Sequence, residues 1–201
     1  MPTRTVSHRA ARTLTIVRAL IAAVAAVVVT FVQNRPGEFA AAALQGFLAA
    51  MVVYFIVETI VRGLDAKRVL LGVIHIVGVL LIFMLPGTAD ARFHMTLLIW
   101  AAAAGIVELV GGLIGRRRGS DDARDNLTVG VLTCLLALAA LIVSPEYTLD
   151  YFVKDAGQSF TLTGTIVGVG FFGGWAAIVA VYLGIGAFSP TPATTVTKDA
   201  A

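Results

Sequence analysis

Four ionisable residues lie inside stretches that are otherwise apolar: Arg18, Glu58, His75 and Glu108. A charged side chain at the centre of a membrane helix costs about 2.5–3.5 kcal/mol on insertion scales, so each needs a partner or a task. Glu108 precedes Arg116 by eight residues and His75 follows Arg68 by seven. At 1.5 Å per residue these spacings put them about 12 Å and about 10 Å inside their helix boundaries. The spacing predicts that His75 and Glu108 face each other across one helical hairpin. A His–Glu pair in a low-dielectric site exchanges protons within the physiological range, so it could relay protons, sense acidification or bind a cation. A buried polar link that only fixes helix packing accounts for the two residues equally well.

Arg18 and Glu58 stand in a similar relation across the preceding hairpin, at depths of about 9 Å and about 6 Å. Arg62 lies one turn from Glu58 and competes for it. For this pair, packing or snorkelling to the interface is the favoured reading. A third hairpin lacks the pair: Thr133 falls near the level of His75, and Ala180 or Leu183 where a Glu would stand.

The elements that must carry these residues follow from composition. Of 201 residues, 58% are hydrophobic and 13% charged, with a mean hydropathy of +0.91. Soluble domains carry about 25% charged residues. The apolar material comes in blocks long enough to cross a bilayer, which takes about 20 residues. Six spans are predicted: Thr13–Gln33, Ala41–Val61, Val69–Leu85, His94–Gly115, Leu127–Val143 and Leu162–Phe188. The expected fold is therefore an all-α integral membrane protein of six transmembrane helices. A twelve-residue N-terminal segment (1–12) precedes them, and a flexible tail from Ser189 to Ala201 follows. The first apolar stretch, Leu14 to Val32, exceeds the 7–15 residue core of a signal peptide and is expected to remain as a span.

Basic residues set the orientation. Arg4, Arg9, Arg12, Arg62, Lys67, Arg68, Arg116, Arg117, Arg118, Arg124 and Lys198 lie on one side of the predicted spans, against Arg35, Arg92 and Lys154 on the other. Lys and Arg collect in cytoplasmic loops, so both termini are expected in the cytoplasm. The same bias explains the net charge of +3 without nucleic acid. The lipid bilayer is the expected partner, together with a homo-oligomer or another membrane protein.

The spans read as three antiparallel hairpins, 13–61, 69–115 and 127–188. Each odd-numbered helix stops at a proline turn: Arg35-Pro36-Gly37, Leu85-Pro86-Gly87 and Ser144-Pro145-Glu146. Ile56-Val57-Glu58 recurs as Ile106-Val107-Glu108, and Trp100-Ala101-Ala102 as Trp175-Ala176-Ala177. These matches suggest a triplicated unit, an arrangement in which transporters place sites between repeats. Gly111, Gly112 and Gly115 end the fourth span, and Gly164, Gly168, Gly170, Gly173 and Gly174 crowd the sixth. They are expected to serve close helix packing, with a mobile or broken helix lining a pathway as the alternative. The long outer segment Ser144–Thr161, rich in aromatics, is expected to lie as a short amphipathic piece on the membrane surface.

The stretch from Leu70 to Gly119 carries a family likeness. A Gly-containing helix (Gly72, Gly78) ends in Leu85-Pro86. The next opens Leu97-Leu98-Ile99-Trp100, continues Gly105-Ile106-Val107-Glu108-Leu109 and ends in Arg116-Arg117-Arg118. This resembles the HdeD-type acid-resistance membrane proteins, built from short two-helix repeats. The likeness covers the third and fourth spans and the helix count; the first, fifth and sixth fit in outline. It implies a bacterial inner-membrane protein with a role in acid or envelope stress, and it supplies no catalytic residues.

The lone Cys134 forms no internal disulfide, and no catalytic triad, phosphate loop or zinc-ligand spacing occurs, so neither an enzyme nor a metal or other cofactor is expected. Three functions remain: a stress-associated protein with a proton-linked site, a secondary transporter or channel for a proton or small solute, and a non-catalytic scaffold of a membrane complex. A polar path joining His75 and Glu108 to both faces would favour transport. A dry, sealed bundle would favour the scaffold.

Overall fold

The computed structural model describes residues 8–32, 36–120, 122–155 and 157–189. The sequence expectations for the tail beyond Ser189, for the first seven residues and for Arg35 fall outside them. Six helices dominate: α1 (His8–Phe31), α2 (Gly37–Arg62), α3 (Ala66–Met84), α4 (Ala89–Arg117), α5 (Ala123–Ile142) and α6 (Gly164–Phe188). All six are long and apolar enough to cross a membrane. The bundle exposes large apolar side chains from every helix, among them Val24 (61%), Ile60 (71%), Leu138 (52%) and Val181 (60%). Such a surface belongs in lipid rather than water, as in a multi-pass membrane protein.

Several helices begin earlier than the apolar stretches predict, because hydrogen bonding continues through a polar first turn to a cap. The Asp65 carboxylate accepts from the Arg68 N–H at 3.4 Å at the start of α3, and Thr88 Oγ1 accepts from the Ala91 N–H at 3.3 Å at the start of α4. Gly63, at φ 86°, ends α2 with its N–H on the Thr59 carbonyl, a left-handed conformation that glycine adopts without strain.

Between α5 and α6 the expected amphipathic surface piece is instead a two-stranded antiparallel ribbon, β1 (Thr148–Val153) and β2 (Gln158–Thr163). The alternation Leu149, Tyr151, Val153 opposite Leu162 and Phe160 has the period of a strand. Tyr151 stacks on Phe160 at 6.0 Å. Leu162 and Thr163 thus belong to β2, and Thr163 caps α6 by accepting from the Ile166 N–H.

The helices pack as a ring with an inner triangle. α2, α4 and α6 touch one another, while α1, α3 and α5 fill the outer positions. The most extensive pairings are α4 with α5, α1 with α6 and α2 with α3, so packing is tighter between the expected hairpins than within the first and third of them. Arg12 stacks its guanidinium over Phe188, which brings the start of α1 to the end of α6. That end, which also holds the α2–α3 and α4–α5 turns, is termed the basic end. At the opposite end Thr165 Oγ1 donates to the Asp90 carboxylate, and the start of α2 at Gly37 packs against Asp90.

Glycines explain the α4–α5 crossing. A Cβ on Gly112 would meet the Leu127 nitrogen at 2.6 Å, one on Gly105 the Cys134 nitrogen at 2.8 Å, and one on Gly130 would collide with the Leu109 backbone. Of the glycines expected to pack, Gly115 abuts Ala123, Gly164 the Ser144 carbonyl and Gly168 the Phe93 ring. Gly111 lies under the Lys67 stem. Gly170 and Gly174 face outward, with nothing among the described residues within 4 Å of an added Cβ. Gly173, in the same crowded stretch, does pack, against Val29.

Candidate functional site

Three aromatic rings meet where the inner helices converge. Phe47 of α2, Trp100 of α4 and Trp175 of α6 lie edge to face, each pair of centroids 5.5 Å apart. Counting three residues back along each inner helix gives Leu44, Leu97 and Phe172; counting four forward gives Met51, Ala104 and Val179; eight forward gives Phe55, Glu108 and Leu183. All are buried. The outer helices present matching rings, Ala22, His75 and Thr133, and one turn toward the basic end Arg18, Leu71 and Val129. Phe47 to Trp100 and Ala22 to His75 are both spaced by fifty-three residues. The Ile-Val-Glu match at fifty is therefore not the register in which the helices meet the core. Glu58 lies three residues beyond Phe55, on the flank of α2.

This register explains the central ion pair. The ring of Arg18, Leu71 and Val129 holds one charge, and so does the ring of Phe55, Glu108 and Leu183. The two charged members pair: Arg18 Nη2 donates to Glu108 Oε1. Glu108 is 2% exposed. Leaving either charge alone in such surroundings is far more costly than burying both together.

The expected partnerships are thereby exchanged. Glu108 faces Arg18 rather than His75, and Arg18 faces Glu108 rather than Glu58. His75 turns its Nδ1 to the Leu71 carbonyl at 2.7 Å, its ring 5.0 Å from Phe55 and 5.7 Å from Trp100. A guanidinium outcompetes a neutral imidazole for a buried carboxylate, because it brings a full charge and a fork of donors. His75 and Glu108 still line one small cavity, together with Arg18, Trp100 and Thr133.

Glu58 sits nearer the basic end with its carboxylate 3.8 Å from both Arg62 Nε and Arg68 Nε, so the competing partner one turn away prevails. Arg62 also grips Asp122 through both amino nitrogens and ties the end of α2 to the start of α5. Because the Asp122 side chain is 43% exposed, Asp122→Asn should cost less than about 1 kcal/mol and lose even that at high salt. Chemical denaturation at two ionic strengths checks it.

A polar cavity of about 40 Å³ opens among these groups, lined by Arg18, Tyr54, Glu58, Arg62, Lys67, Asp122, Asp125 and Asn126. The Lys67 ammonium reaches it across Gly111 and makes no ion pair among the described residues. Tyr182 of α6 donates to Asp125, one of the lining residues, at 3.2 Å. Arg18 borders both this cavity and the smaller one around His75. Beyond that point an apolar layer, the aromatic triangle and the ring of Leu44, Leu97 and Phe172, separates these groups from the buried His94, Thr96 and Thr165 of the opposite half. Within the triangle Trp175 Nε1 donates to Thr133 Oγ1 at 3.2 Å, and Thr133 donates to the Val129 carbonyl. Thr133→Ala should cost about 1 kcal/mol by orphaning the indole N–H, read as a lowered unfolding midpoint in detergent.

Sequence reasoning found Arg18, Glu58, His75 and Glu108 because charge in an apolar block is conspicuous. It missed Tyr54, Lys67 and Asp122, which look like ordinary interface and loop residues and join the site only through helix packing. The arrangement gathers Arg18, His75 and Glu108 around one small cavity, and Arg18 joins it to the polar cavity toward the basic end. Comparison of the chain with family models, curated proteins and solved structures finds no match.

Proposed function

We propose that this chain is a bacterial inner-membrane protein that responds to acidification of the cytoplasm through the Arg18–Glu108 pair. The observation that carries this reading is the position of the pair, buried at the foot of a polar cavity that approaches it from the basic end alone. Protonation of Glu108 would remove the counter-ion of Arg18 and leave an uncompensated charge in the core. The response is then a shift of α1 against α4 that lets Arg18 reach the polar cavity, a population shift driven by the proton. In this reading both termini are cytoplasmic, as the basic loops imply. The chain is a triplicated two-helix unit whose shared slots are those counted from the aromatic triangle, and the likeness of Leu70–Gly119 to the HdeD-type family supports the link to acid stress.

The test is growth of a deletion strain at acid pH, rescued by wild type, Glu108→Gln, Arg18→Gln or His75→Ala at matched protein levels. Rescue by wild type with at least tenfold poorer survival for Glu108→Gln and Arg18→Gln is expected. Full rescue by all three variants overturns the reading. Reporter fusions to the C-terminus test the orientation independently.

A second reading is a proton or small-solute transporter, favoured by one observation: polar groups line a cavity toward one end and are sealed from the other by the aromatic triangle, as in one state of an alternating-access cycle. Proton uptake into proteoliposomes under an imposed gradient, abolished by Glu108→Gln, would favour it over the sensor.

A further inference from the structure

We propose that one buried water molecule occupies the small cavity beside the ion pair and joins His75 to Glu108; its role as a relay rests on the proton-responsive reading above, but its presence does not. The cavity measures about 10 Å³ and is bordered by Arg18, His75, Trp100, Glu108 and Thr133. That is the room one water needs, and a water stays in a cavity only where two to four polar partners meet it.

The partners follow from the internal symmetry. Trp175 and Trp100 occupy matching slots on α6 and α4. The Trp175 indole N–H is satisfied by Thr133 of the neighbouring outer helix. The matching neighbour of Trp100 is His75, and there no such bond is found: Trp100 Nε1 is buried with no hydrogen-bond partner among the described residues, in a residue 2% exposed. An indole N–H only donates, so it calls for an acceptor. His75 cannot offer Nδ1, because a carbonyl only accepts, and the 2.7 Å contact with Leu71 places the proton on that nitrogen. The neutral ring then keeps a lone pair on Nε2. A water can accept from Trp100 Nε1 and donate to His75 Nε2 and to the Glu108 carboxylate, which satisfies all three.

Such a water completes a proton path. When Glu108 carries a proton, its O–H passes that proton to the water oxygen, and the water passes one of its own to His75 Nε2. The products are a carboxylate, an imidazolium and the same water. The charged and titratable groups around this path are Arg18 from α1, Tyr54 and Glu58 from α2, Lys67 from α3 and Cys134 from α5; Tyr182, from α6, is bonded to Asp125.

The chain has two tryptophans, so the full protein, labelled with ¹⁵N at the indole nitrogens and held in lipid nanodiscs, gives two indole signals, assigned with Trp175→Phe. Magnetisation transfer from water to the Trp100 Nε1–H is expected, with the Trp175 N–H at the shift of a direct hydrogen bond. Ala104→Val, which fills the cavity wall, should abolish the Trp100 transfer and leave the Trp175 signal in place. Absence of transfer at Trp100 in the wild-type protein, with the Trp175 signal intact, overturns the water. A normal transfer combined with full acid rescue by the Glu108, Arg18 and His75 variants leaves the water standing and overturns only its proton-responsive role.

Discussion

Glu108→Leu is expected to destabilise the folded bundle by about 3–5 kcal/mol, the cost of stranding a buried charge without its counter-ion. The charge stranded is Arg18, whose side chain is 14% exposed and whose only described anionic partner within ion-pair distance is Glu108. The double variant Arg18→Met/Glu108→Leu should recover most of that loss, since both neighbouring slots in each ring are already apolar: Leu71 and Val129 in one, Phe55 and Leu183 in the other. Buried ion pairs exchanged for apolar residues of similar volume are often neutral or stabilising. Unfolding in mixed micelles, followed by tryptophan fluorescence from Trp100 and Trp175, reads both variants. A stable single variant would mean that Arg18 finds another partner and that the pair is not central to the core. A double variant as stable as wild type yet unable to restore acid growth would place the pair in function rather than in folding.

The second large effect is at Gly130. A side chain there would run into the backbone of Leu109 and of Glu108 itself, so no rotamer relieves it and only separation of α4 from α5 can. Gly130→Val should therefore cost at least about 3 kcal/mol, the upper end of overpacking penalties. It should also disturb the carboxylate one residue from the contact. Gly174→Val, on an outward face with nothing near it, is the matched control and should leave stability within about 0.5 kcal/mol of wild type. Comparing the two in the same micelles separates interhelical contact from the loss of a flexible residue in a helix. Equal stability of the two variants would show that the α4–α5 crossing tolerates a wider spacing.

These expectations draw on different depths of information. Six apolar blocks were legible from hydropathy because a bilayer demands long, nearly uncharged runs, and the third and fourth helices begin before those runs with a turn capped by Asp65 and Thr88. The ribbon between α5 and α6 was missed although its alternation was visible at Leu149, Tyr151 and Val153. Aromatic residues near a span end suggest an interface equally well, and pairing with Phe160 and Leu162 is a non-local fact. Glycines were legible as packing residues in kind but not in place. Gly112, one of the expected glycines, does carry the α4–α5 crossing, but Gly105 and Gly130 share it unannounced, while Gly170 and Gly174, in the more obvious motif, face outward. Which face of a nearly uniform apolar helix turns inward is not written in its hydropathy.

The sequence by itself determined the number of spans and the four residues that burial would make costly, because both follow from the local cost of charge in an apolar run. Tertiary structure decided the pairing. Residues on separate helices meet according to helix order around the ring and the rotation of each helix about its axis. A three-residue shift, from the spacing of fifty read in Ile-Val-Glu to the fifty-three between Phe47 and Trp100, displaces a residue by about 60° around its helix and about 4.5 Å along it. That rotation sends Glu58 to the flank with Arg62 and Arg68, and brings Glu108 inward to Arg18.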